Sequence, residues 1–191
     1  FFRQGAFFSA ARLLSSMRYP DPEFPEALHP RETALCHYEW QRLNYPKAVS
    51  HAARLPHWEL RKHLEMLCAA DEFSFCRLGD LLAGAQDLLS WGELEEALAR
   101  FYRSAEQTAK VRLASDQGIR PPYRLEAFLS FLPQHCKVSG ELRNRMRDGE
   151  LQIGNDLAWR ILKELRDPMA EAYFADTRLM GALGRRNRSL Y

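Results

Sequence analysis

No apolar run in this 191-residue chain approaches the roughly 20 residues that a bilayer-crossing helix needs, which argues against a membrane span. Cysteine is scarce: Cys36, Cys68, Cys76 and Cys136 are scattered without a C-x-x-C spacing. That pattern excludes a disulfide framework and a paired-cysteine zinc site, and predicts free thiols in a reducing, cytoplasmic compartment. Charge of one sign is also lacking, since the formal net charge is only +2. A balance this close to neutral neither demands nor forbids a nucleic-acid partner, because local clustering matters more than the sum. The phosphate-cradling G-x-x-x-x-G-K-[ST] and G-x-G-x-x-G patterns are missing, as is the G-x-S-x-G of hydrolases. Histidine is present six times, but His51, His57 and His63 stand six residues apart. On a helix each is rotated about 120° from the last, so they cannot converge on a metal. No metal and no cofactor are expected.

What the sequence does carry is helical periodicity. The segment from Leu78 to Leu113 reads as two helices broken at Trp91-Gly92. In the second, Leu94, Ala97, Leu98, Phe101, Ala105, Thr108 and Ala109 recur at spacings of three and four, which lays an apolar stripe along one face. This predicts a long helix from Glu93 to Ser115 with its Leu98/Phe101 side buried and a favourable Glu106–Lys110 pair on the outside. Gly118 supplies the stop.

The remainder follows the same logic. A helix is expected over Phe2–Met17, then a loop from Tyr19 to Pro30, where four prolines remove donors and fix φ. Helical patterns resume over Arg31–Leu43, after the Asn44-Tyr45-Pro46 turn, and from Pro56 onward. Such a beginning reads as helix-hairpin packing rather than a tandem repeat, because no fixed period continues downstream. A short helix is expected over Leu125–Leu132. From Gln134 to Gly149 the pattern weakens into a basic, solvated connection carrying Lys137, Arg143, Arg145 and Arg147. Asn155 or Asp156 is the expected cap of the next helix. Asp167-Pro168 matches a cap followed by proline at the first helical position of a last helix running toward Gly181. No alternating strand is expected. The fold class is all-α, with N-terminal helical hairpins over residues 1–72 and a second helical domain over 73–191.

The chain closes on Gly184-Arg185-Arg186-Asn187-Arg188-Ser189-Leu190-Tyr191. Taken alone this is a basic helix end. In order along the chain, however, three segments resemble the helical C-terminal part of CRISPR-associated CARF–HEPN proteins, the ancillary ribonucleases of type III systems. They are YEWQRLNYPKAVSHA, LLSWGELEEALARFYRSAEQTAKVRLASDQGI and ELRDPMAEAYFADTRLMGALGRRNRSLY. The resemblance implies a HEPN-like helical domain that cleaves single-stranded RNA without a metal at a homodimer interface. Arg186 and Asn187 would be its motif residues, with Arg103 and Glu106 as supports. In the family a histidine follows the Arg-Asn pair a few residues later, which here falls beyond Tyr191. A CARF domain responding to cyclic oligoadenylate would precede Phe1, so the chain is expected to be part of a longer protein. The rival expectation is a helical-repeat interaction domain that binds a protein partner and catalyses nothing.

Overall fold

The computed structural model describes residues 7–16, 28–133, 136–147 and 150–181, and its architecture is all-α. Among the described residues no helix is long and apolar enough to cross a membrane. They fall in two compact units, one drawn from Phe1–Glu72 and Gly79–Leu98, the other from Phe73–Leu78 and Ala99–Tyr191.

The first unit begins with α1 (Phe7–Ser16), α2 (Leu28–Gln41), α3 (Tyr45–Ala52) and α4 (Trp58–Ala69). Consecutive helices pack on each other, and the reason is visible in the small residues at their contacts. Ala48 and Ala52 of α3 are fully buried against Cys36, Tyr45, Leu64 and Leu67, so the backbones approach closely. Helix α2 begins earlier than its prolines imply. Pro30 lies in the first turn, where a missing N–H leaves no intrahelical bond unmade. Leu43, with φ of 59°, closes α2 through Leu43 N to Trp40 O and Asn44 N to Glu39 O. Asn44 stands at the N-cap of α3 but makes no side-chain cap there; its amide donates instead to Glu39 at 2.8 Å.

Helix α5 (Phe75–Ser90) and α6 (Leu94–Asp116) are separated at Trp91-Gly92, as the pattern predicts. Gly92 takes φ of 82°, which a Cβ would disfavour, and Glu93 N closes onto Leu88 O. Gly118, at φ of 66°, ends the 23-residue α6 in the same left-handed region. The expected burial of the α6 stripe holds at Ala97 and Ala109 but not on its Leu98/Phe101 side. Leu94, Leu98 and Phe101 are 63%, 55% and 36% exposed, while Ala97, Ser104, Ala109, Val111 and Leu113 are buried. Periodicity determines which residues share a face; whether a neighbour covers that face depends on the tertiary packing. Nor do Glu106 and Lys110 form an ion pair with any described residue.

The second unit packs α6 beyond Leu98 with α7 (Leu125–Leu129), α8 (Lys137–Asn144), α9 (Asn155–Glu164) and α10 (Pro168–Ala175). Its core gathers Leu113, Phe128, Leu142, Leu157, Ile161 and Leu162, all at most 1% exposed. Trp159 stacks on Tyr173 with centroids 4.2 Å apart, joining α9 to α10. The stretch expected to be a loose basic connection contains α8, which buries Val138 and Leu142 one turn apart. Two-residue strands β1 (Met146–Arg147) and β2 (Glu150–Leu151) then pair antiparallel, a small departure from the strand-free expectation. Gly154, not Asn155 or Asp156, occupies the N-cap of α9. The last helix is shorter than expected: α10 stops at Ala175, and the Asp176 carboxylate caps a new turn by accepting from Arg178 N and Leu179 N at 3.0 Å each.

Candidate functional site

Four carboxylates gather the polar contacts between elements, two in each unit. In the first unit Asp80 of α5 has a side chain only 7% exposed. Its Oδ1 accepts from Trp40 Nε1 and its Oδ2 from the Tyr45 hydroxyl, each at 2.9 Å. Trp40 lies in the last turn of α2 and Tyr45 opens α3, so one buried acid pins that hairpin to α5. His63 Nε2 stands 4.0 Å from Oδ1, beyond hydrogen-bond reach. Beside it, His37 is packed between Phe7 and Trp40 at 4.8 and 5.7 Å, and burial lowers its pKa below the ordinary histidine value.

The second carboxylate of this unit is Glu32 on α2, with a side chain 5% exposed. Its Oε2 lies 2.7 Å from His51 Nδ1 on α3, and its Oε1 3.3 Å from Arg54 Nη1. Cys36 lies one turn further along α2. Burial, with the Glu32 charge added, pushes its thiol up to about 11. A thiol so raised is a core group rather than a nucleophile. All four cysteines are free.

In the second unit Asp167 is the N-cap of α10. Its Oδ1 accepts from Met169 N at 2.8 Å and Ala170 N at 3.1 Å, while Oδ2 takes Arg112 Nε and Nη2 at 3.0 and 2.7 Å. The predicted cap-proline pair is therefore present, and a cation completes it. Glu141 of α8 receives Arg160 through two hydrogen bonds of 2.6 and 2.8 Å, with Arg145 on the same carboxylate. The Arg160 hydrogen bonds hold Glu141 below the usual carboxylate range.

No family model, curated protein or solved structure matches the chain. Arg186 and Asn187 lie outside the described residues, as does the third arginine of that run, Arg188. Arg103 and Glu106 are on α6, exposed and half-buried respectively, and make no ion pair with each other. They are placed on one helix three residues apart and are not gathered with any of the four carboxylates above. Among the described residues no group of three or more His, Cys, Asp or Glu side chains could hold a metal ion.

Sequence reasoning overlooked Glu32 and Asp80. The signal for Asp80 was a lone acid inside the apolar run Leu78, Leu81, Leu82, where a charge needs a partner. Glu32 carried no comparable mark, since it sits in a stretch already rich in charge. What this arrangement can do chemically divides accordingly. Asp80 with two neutral donors is a structural tie. Glu32, by contrast, holds an imidazole by one nitrogen, and no described residue bonds the other.

Proposed function

We propose that this chain is the HEPN-like ribonuclease domain of a CRISPR-associated, cyclic-oligoadenylate-responsive protein, cleaving single-stranded RNA without a metal across a homodimer interface. The observation that carries the reading is the order of the three segments named above, the last of which ends on Arg186-Asn187. In support, the first segment forms the α2–α3 hairpin whose Trp40 and Tyr45 share Asp80, and the second contains α6, the longest helix. The third starts with the Asp167-capped α10.

In this reading a ribose 2′-hydroxyl attacks the adjacent phosphorus and expels the 5′-oxygen. Arg186 donates to the phosphorane oxygens, for which a guanidinium fork suits better than an ammonium. Asn187 orients the phosphate or the histidine of the family's motif, whose role in this reading is to move protons. The products carry a 2′,3′-cyclic phosphate and a 5′-hydroxyl. Incubating the full-length protein with labelled single-stranded RNA in a chelator, and identifying the ends by mass spectrometry, tests this. Chelator-resistant cleavage with cyclic-phosphate ends is expected. Strictly metal-dependent cleavage leaving a 3′-hydroxyl and a 5′-phosphate would refute it.

One observation favours a second reading, a non-catalytic helical domain that binds a protein partner. Leu82 and Leu89 on α5, and Leu94 and Leu98 on α6, are 40–63% exposed within the first unit. Leucines two turns apart on α5 and one turn apart on α6 give each helix an apolar stripe open to a partner. In this second reading those side chains meet a different protein.

A further inference from the structure

We propose that His51, Arg54 and Lys47 form a recognition site for a phosphoryl group, in which Glu32 positions the His51 ring. The proposal does not depend on the ribonuclease reading, because none of these residues belongs to the Arg186-Asn187 motif. The imidazole is held by Nδ1 against a carboxylate that is 95% buried, at 2.7 Å. With Nδ1–H donating to Glu32, the ring has one tautomer and a set orientation, and Nε2 carries the free lone pair. No described residue bonds Nε2, and the His51 side chain remains 21% exposed. A purely structural tie between α2 and α3 has no use for that second nitrogen.

The residues flanking His51 along the chain set the sign of the ligand. Lys47 lies one turn before His51 on α3, is exposed, and makes no side-chain ion pair with any described residue. Arg54 follows three residues after His51, keeps 69% of its side chain exposed, and touches Glu32 only through Nη1 at 3.3 Å. Two cations beside a single buried carboxylate leave a positive excess, and Glu32 and His51 alone are too few ligands for a metal. The negative end of the α3 dipole would favour cations here without any ligand. Its closing carbonyls are already taken, however: His51 O accepts from Arg54 N at 3.1 Å and Ala52 O from Leu55 N at 3.0 Å. The dipole also gives no reason for burying a carboxylate against Nδ1. A phosphoryl group suits this set. Its oxygens accept from the Arg54 fork and from Lys47, and the Nε2 lone pair accepts from a phosphate hydroxyl.

Carbethoxylation of Nε2 by diethyl pyrocarbonate, mapped by peptide mass spectrometry on the whole chain, reads this site directly. The exposed His29 and His57 serve as internal controls. Inorganic phosphate, or a short uridine oligoribonucleotide, should slow modification of His51 several-fold relative to chloride at equal ionic strength, leaving the controls unchanged. Protection by phosphate alone would identify a small phosphorylated ligand. Protection by the oligonucleotide alone would identify an RNA backbone. In Arg54→Ala the ligand concentration needed should rise about tenfold or more, the loss expected of one charge-assisted contact. Glu32→Gln, checked for native circular dichroism, should slow modification even without ligand, because the ring is no longer held. The proposal fails if neither ligand protects His51, or if Arg54→Ala is protected as well as the parent.

Discussion

Replacing Asp167 separates two contributions that meet on one carboxylate. In Asp167→Ala, Met169 N and Ala170 N lose their acceptor, and loss of an N-cap costs about 1 kcal/mol. Arg112 simultaneously loses two short hydrogen bonds to Oδ2, and charge-assisted bonds of this kind contribute about 1.5–3 kcal/mol. The low end applies, because Arg112 is 25% exposed and retains Asp116 at 2.8 Å. The total is about 2.5–3 kcal/mol, or a fall in Tm of roughly 5–12 °C for a chain of this length. Asp167→Asn keeps the cap, since asparagine is as good there as aspartate, and loses only the charge on Arg112. It should cost about half as much. Urea denaturation followed by far-ultraviolet circular dichroism measures both, with an unchanged m-value required for the comparison. Losses below about 0.5 kcal/mol in Asp167→Ala, the range of an ordinary surface substitution, would refute the reasoning.

Two further perturbations follow from single residues. Arg160 hydrogen bonds depress the Glu141 pKa, so this pair contributes stability above the ordinary glutamate pKa and loses it as pH falls through the depressed folded value. Glu141→Gln should therefore flatten the acid limb of the Tm-against-pH curve, and an unchanged limb would contradict the assignment. Arg166 holds φ of 58° where α9 ends, with Asp167 N closing onto Leu162 O at 2.9 Å, and its exposed side chain bonds nothing described. Arg166→Gly should stabilise by about 0.5–1 kcal/mol in urea denaturation, since glycine enters the left-handed region without a Cβ clash; a loss would contradict it.

Local signals carried through where the backbone itself was the constraint. The Trp91-Gly92 break, the Gly118 stop and the Asp167-Pro168 start each depend on φ or on a missing donor, and those belong to single residues. Burial did not transfer so directly. The Leu94/Leu98/Phe101 stripe is periodic but open, while in the same helix Ala97 and Ser104, a full two turns apart, are covered. Helix α8 was missed because eight residues with two buried apolar positions give too little pattern to distinguish from a loop. The roles of Glu32 and Asp80 depend on partners that lie 19 and 22 residues away for Glu32 and 35 and 40 for Asp80. Pairings at such separations are set by how helices pack, not by local propensity.

The ribonuclease reading rests on Arg186 acting as more than one positive charge among several. Single-turnover cleavage of single-stranded RNA by the full-length protein, with alanine at position 185, 186 or 188 in one salt buffer, tests that directly. Arg186→Ala should abolish or greatly slow cleavage, with kcat falling more than KM rises, because the guanidinium matters most as charge builds on phosphorus. Arg186→Lys should rescue poorly, and Arg185→Ala and Arg188→Ala should remain active. Equal, salt-dependent losses at all three positions would leave only a basic RNA-binding end and contradict the catalytic role.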